Sequence, residues 1–151
     1  MRKAESSGRL LPSGLTMDQV SNCGDDVSVE ARVQGCQGRC PACGSVSARM
    51  HSRYQHWLGD LPAHGRKVRI RLTVRRFRCA APGCRTEIFA ERLDDGIACR
   101  YGRRTMRLQA LIHCLGLALG GRPGQGLARR RQVPVEPRIP CFEAFGAAPR
   151  G

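Results

Sequence analysis

Four cysteines constrain this chain more than any other feature. Cys40 and Cys43 form a C-x2-C pair, 35 residues follow, and Cys79 and Cys84 form a C-x4-C pair. Each pair occupies a turn, Cys40-Pro41-Ala42-Cys43-Gly44 in one case and Cys79 through Pro82-Gly83 to Cys84 in the other, so each is a knuckle offering two sulfurs on one side. The glycine after Cys43 suits a backbone position where a Cβ would clash. Four thiolates close a tetrahedral zinc site at about 2.3 Å and leave no open coordination position, so one such Zn2+ is structural rather than catalytic. Its binding free energy becomes folding free energy. His51 and His56 read as surface or hydrogen-bonding residues rather than ligands, and no βαβ pattern surrounds the C-x2-C pair to support a redox role.

A chain of this make-up needs such a staple. Only 5% of its 151 residues are aromatic, and 18 are Gly and 9 Pro, which leaves too little large apolar surface for a deep core. Nine cysteines is an odd number, and no signal peptide precedes them, so a disulfide scaffold is a poor reading. No stretch approaches the roughly 20 apolar residues that cross a bilayer. The expectation is a soluble, cytoplasmic and nucleoid-associated protein without a membrane partner.

The net charge is +14, and it is uneven: residues 1–34 carry four bases and five acids, residues 35–151 carry 22 bases and seven acids. A domain this basic repels itself unless a polyanion binds, and nucleic acid is the default partner. All the bases but Lys3 and Lys67 are arginines, whose planar fork matches phosphates and guanine edges.

Along the chain, Val27, Val29, Ala31 and Val33 alternate as a short half-buried strand, and residues 45–65 read as a strand pair or loop ending in the turn Ala63-His64-Gly65. Val68, Ile70, Leu72 and Val74 then point one way and Arg69, Arg71, Thr73 and Arg75 the other, with a bulge or strand end expected at Arg76-Phe77. Residues 85–100 are transitional. Leu108, Leu111, Ile112, Leu115 and Leu119 share one helix face, Gly120-Gly121 ends that helix, and a second short helix is predicted from about Gln125 to Arg131. Pro134, Pro137 and Pro140 forbid a helix interior beyond it.

Two groups of cations are candidate DNA contacts. Arg66, Lys67, Arg69, Arg71, Arg75 and Arg76 lie along a strand with no acid between Arg66 and Arg78, a strip suited to a phosphate backbone. Arg103, Arg104 and Arg107, with Arg100, crowd the start of the first helix, where they oppose its dipole; a bound phosphate would relieve that cost. The helix, the glycine turn and the second helix are consistent with the first part of a helix-turn-helix.

The segments CPACGSVSARMHSRYQHWLGDLP at 40–62, VRRFRC at 74–79 with Cys84, IFAERL at 88–93, and RRTMRL and LGLALGG within 103–121 together give residues 10–134 their likeness. This region resembles the N-terminal part of the ISL-three family of bacterial insertion-sequence transposases. The resemblance implies a zinc ribbon with Cys40, Cys43, Cys79 and Cys84 as ligands, then a helix-turn-helix, together binding the terminal inverted repeats of a mobile element as double-stranded DNA. It also implies a large catalytic domain further on, of which this sequence has no counterpart. The expectation is therefore a truncated fragment without strand-transfer activity that competes with intact transposase for element ends or does nothing in the cell.

Residues 136–151 read as an unstructured tail. Codons for Glu136 through Glu143 can be chosen so that a shifted frame spells Ala-Ala-Asp-Thr-Leu-Leu-Arg, a helix start, which places a frameshift near Val135. The fold expected is small α+β: a flexible tail at 1–22, a mainly antiparallel zinc ribbon at 23–95 and a partial helix-turn-helix at 99–132. A standalone zinc-ribbon regulator or RNA-binding protein, an active transposase, an interaction module using zinc only to fold, and a product that never accumulates all stay open. So does translation from Met1 or Met17.

Overall fold

The computed structural model describes residues 11–133. The chain runs through β1 (Leu15–Cys23), β2 (Asp26–Val33), β3 (Gly38–Arg39), β4 (Val46–Ser47), β5 (Met50–Ala63), β6 (Arg66–Arg78), β7 (Ile88–Ala90), α1 (Met106–Leu119) and α2 (Gly121–Arg130). One sheet has the order β1-β2-β6-β5, with β7 added to the end of β6, and β3 pairs with β4 in a small ribbon. The fold is thus α+β, as the sequence predicts.

The alternation in β6 builds the centre. Val68, Ile70, Leu72 and Val74 are buried, as are Val29 and Ala31 of β2, and the strands lie in parallel register with Val29 beside Ile70 and Ala31 beside Leu72. A period of two fixes which face is apolar but not which way a neighbour runs, so this parallel pair inside an otherwise antiparallel sheet was not legible. Leu58 from β5, Leu11, Leu15, Ile97 and Ala98 complete the cluster. β5, a single strand where a strand pair or loop was expected, forms a hairpin with β6 at the predicted turn, through His64 and Gly65, both at positive φ, with Ala63 facing Arg66.

Three expectations need correction. Residues 15–22, placed in a flexible tail, belong to β1, which pairs with β2 from Leu15–Val33 to Cys23–Asp26. β1 is a mostly exposed edge strand, so hydropathy leaves little mark on it. β6 does not end at Arg76-Phe77; it runs to Arg78, and the irregularity lies across from it in β5, between Met50 and Ser52. Phe77 is buried on the face of Arg71 and Arg75, opposite to Val74. Finally, α2 begins at Gly121 rather than near Gln125, so of the two glycines only Gly120 lies outside a helix. Pro123 sits in the first turn of α2, where its missing N–H removes no intrahelical bond.

The helices dock at the hairpin's turn end. Leu108 is buried with Ala128 and Val133, and Leu61, Leu111, Ile112 and Leu115 pack around them, whereas Leu119 is exposed. The segment before α1 is pinned to the edge of β5: the Gly59 amide donates to the Arg103 carbonyl at 2.8 Å, and the Thr105 amide to the Gly59 carbonyl at 2.9 Å. No helix among the described residues is long and apolar enough to cross a membrane. The tail expected at 136–151 and the prolines from Pro134 onward lie outside the described residues.

Candidate functional site

Each knuckle is closed by its own backbone. The Gly44 amide donates to the Cys40 carbonyl and the Cys40 amide to the Ser45 carbonyl, both at 2.9 Å, while the Cys79 amide donates to the Glu87 carbonyl at 2.8 Å and the Cys84 amide to the Ala81 carbonyl at 3.4 Å. Gly44 is needed for its φ of 76°, not for space, since nothing lies near a Cβ there. Gly38 is the position where space decides: a Cβ would fall 2.5 Å from the Phe77 ring. That contact seats β3 against Phe77 and Phe89, whose ring centroids are 5.9 Å apart, and these rings form the floor beneath the buried Cys40.

The sequence-predicted ligands converge. The sulfurs of Cys40, Cys43, Cys79 and Cys84 all lie within 4.8 Å of one another, with 3.9 Å between Cys40 and Cys84 and 3.5 Å between Cys43 and Cys79. A tetrahedron of Zn–S bonds of about 2.3 Å has edges of about 3.8 Å. The four cysteines are therefore placed to bind one metal ion, and an all-thiolate set suits zinc.

Their protonation is unequal. Hydrogen bonds from the Ser45 hydroxyl and amide, with one from Cys79, hold the Cys43 thiol down at about 6. At Cys79 the Ala81 amide favours the thiolate, but loss of water and the bonds to Cys43, Cys40 and Cys84 outweigh it and push the thiol up to about 12. Cys84 is raised as well: the Thr86 amide pulls down, and desolvation and Cys43 prevail. Neither histidine joins the cluster; His56 Nε2 lies 2.9 Å from the Gly102 carbonyl and His51 bonds Ser52.

Residues 37–84 match the family model of the zinc-finger of transposase IS204/IS1001/IS1096/IS1165. The match spans Gln37 to the last ligand, Cys84, so it contains both knuckles and the β5–β6 hairpin between them. No curated protein and no solved structure matches the chain. Within the matched segment, the four thiols come from the two ends of the β5–β6 hairpin, which makes up more than half of the sheet.

The basic residues divide in a way the sequence did not show. Three of the strip arginines are neutralised by acids from elsewhere in the chain: Arg69 lies 3.9 Å from Asp26, Arg71 pairs with Glu30, and Arg75 Nη2 donates to Glu91 Oε2 at 2.6 Å. Asp26 and Glu30 stand on β2, beside Lys67 and Arg71 in the parallel register. An acid-free run in sequence is therefore not an acid-free strip in space, although Arg69 keeps 63% of its side chain exposed. Arg76 lies over the Tyr54 ring at 5.1 Å, and Arg66 is exposed.

The helix start is corrected for the same reason. The anion there is the fully buried Asp60 carboxylate, which accepts from Thr105 Oγ1 and Arg107 Nε at 2.7 Å each and from Arg107 Nη2. Thr105 in turn caps α1 by accepting from the Leu108 amide at 3.3 Å. Arg107 is thus a structural residue, and no external phosphate is needed to relieve it.

Other cations remain outward. Among the described residues Lys67, Arg103 and Arg129 form no ion pair with a side chain. They gather with Arg69, Arg104 and the half-exposed Trp57 around a groove of about 670 Å³ between the sheet and the end of α2. Sequence reasoning missed Trp57 and Arg129. Trp57 stands opposite Arg71 on the arginine face of the sheet, and Arg129 lies in the last turn of α2, where the helix dipole favours a cation.

Proposed function

We propose that this chain is a zinc-organised DNA-binding module of transposase type that engages the terminal inverted repeats of a mobile element mainly through phosphate contacts. The observation that carries the reading is the convergence of four thiols inside the one segment that matches a transposase zinc finger. The charge of +14 supplies the sequence-independent attraction that phosphate contacts require. The helix pair serves as the first part of a helix-turn-helix, a role supported by its amphipathic stripe and by the resemblance of residues 103–121.

Residues 11–133 are assigned no strand-transfer chemistry. The assignment follows from the resemblance, which is to the part of the family that precedes its catalytic domain. Asp18, Asp26, Glu30, Asp60 and Glu91 are each engaged by an arginine. In the cell such a module would act in the nucleoid and compete with intact transposase for the same ends.

The test is a titration of element-end and scrambled duplexes at two salt concentrations, with and without chelator, alongside a strand-transfer assay. Binding that weakens linearly in log salt, with a preference for element ends, supports the reading. Absence of binding at the lower salt overturns it.

A further inference from the structure

The groove at the turn end of the β5–β6 hairpin is not explained by phosphate contact with a duplex. Its walls are Lys67 and Arg69 on β6, Arg103 and Arg104 ahead of α1, and Arg129 on α2, and its floor carries Trp57. Trp57 is the only tryptophan in the chain and is 49% exposed, an unusual placement for the largest apolar side chain in a protein this short of aromatic residues. It is also placed firmly. β5 is held on one side by β6, and on the other the Gly59 backbone is clamped by Arg103 and Thr105. The Arg71 guanidinium lies 5.9 Å from the indole centroid.

A concave basic groove around an aromatic ring suits one class of ligand. Duplex DNA is read by convex elements, a helix or β-ribbon entering its grooves. A single strand instead lies in a positively charged groove that follows its backbone, with bases stacked on aromatic faces. We propose that this groove holds an unpaired stretch of a DNA strand, with one base stacked on Trp57 and the flanking phosphates taken by Lys67, Arg103 and Arg129. Resting on the DNA-binding reading above, the inference adds a second mode to it: the chain holds duplex ends on one surface and melted or flanking strand in this groove. The second groove on the same sheet face, about 520 Å³, offers no such site, since Asp18 lies among its arginines and no aromatic side chain lines it.

The single tryptophan makes the test direct. The zinc-loaded chain is titrated with oligo-dT, which neither pairs nor stacks on itself, with a blunt mixed-sequence duplex, and with oligo-U. Intrinsic tryptophan emission and the anisotropy of labelled nucleic acid are read together. The expected result is binding of oligo-dT with strong quenching, and binding of the blunt duplex with little quenching. Trp57→Ala should weaken oligo-dT binding about tenfold and duplex binding less than twofold, with zinc content unchanged, and Trp57→Phe should restore most of the loss.

Bound oligo-dT with unaltered emission would place the strand elsewhere and overturn the proposal. So would equal quenching by the duplex, or oligo-U binding more than tenfold tighter than oligo-dT, which would make the ligand RNA. If neither DNA raises the anisotropy at low salt, it is the DNA-binding reading itself that fails. The wild-type emission measurement needs no variant, so a misfolded Trp57→Ala chain leaves the outcome decisive.

Discussion

The β5–β6 hairpin has two ends built on different chemistry. Its open end leads into the knuckles, where the buried apolar side chains are only Cys40, Phe77 and Phe89. Its turn end docks the helices through Leu108, Ala128 and Val133 and through the buried Asp60 held by Thr105 and Arg107. One end gathers four thiols placed to bind an ion over a small apolar floor; the other is closed by side chains alone. Between them lies the sheet centre of Val29, Ile70 and Leu72. The difference teaches where a metal ion would count most: at the end where apolar burial runs out, beside a sheet centre that is packed by side chains.

The largest expected effect tests that separation. Structural zinc in small domains contributes apparent binding free energies on the order of 10–16 kcal/mol. A chelator, or Cys84→Ser, should therefore strip hydrogen-exchange protection from the knuckles and β7 while the sheet centre and α1 keep theirs. If α1 amides lose protection at the same chelator concentration, the two ends are one cooperative unit and the comparison breaks.

Two buried carboxylates probe the side-chain-held part. Glu91 bridges β6 and the loop after β7: its oxygens take the Arg75 amide at 2.7 Å and the Arg75 guanidinium, which also donates to the Gly35 carbonyl at 2.7 Å. Removing one partner of a buried pair costs about 3–5 kcal/mol, and Arg75, with 15% of its side chain exposed, has little recourse to water. Glu91→Ala should fall near about 4 kcal/mol in urea unfolding. Asp60→Ala should cost about 3 kcal/mol, the low end of that range, because Arg107 at 29% exposure regains some hydration. Both variants should still bind one zinc. Loss of zinc from Asp60→Ala would show that the helix end supports the knuckles after all.

The knuckle end carries a pH response of its own. At pH 7 Cys43, held at about 6, is largely thiolate, while Cys79 at about 12 and the raised Cys84 keep their protons until metal arrives. Binding zinc expels those protons, so affinity must rise with pH and fall as pH drops, by roughly tenfold per pH unit for each proton released. Calorimetry in buffers of different ionisation enthalpy should count at least two protons; a count near zero would contradict this thiol arrangement.

What could be read from the sequence follows from which interactions are local. The knuckle turns and the β6 alternation are local patterns, so the four ligands and the sheet centre were legible. The parallel β2–β6 pairing was not, because strand direction is set by the path of residues 34–65. Two of the acids beside the arginines, Asp26 and Glu30, come with that pairing, and Glu30 and Arg71 are 41 residues apart. Asp60 and Arg107 are 47 residues apart, so a helix start that looked short of an anion already had one. Trp57 was overlooked because one aromatic in a polar strand carries no period.

The smallest effect separates the two kinds of cation directly. Each phosphate neutralised by a side chain contributes about 0.7 to the slope of log affinity against log salt for a single strand. Lys67, without an ion-pair partner among the described residues, should carry one such contact, so Lys67→Gln lowers the slope for oligo-dT by about that amount. Arg71 is already matched by Glu30, so Arg71→Gln should leave the slope unchanged even where it shifts the affinity through Trp57. Equal losses of slope from both variants would mean that the internal pairs open to receive DNA, and the arginine strip read from the sequence would then be a binding surface after all.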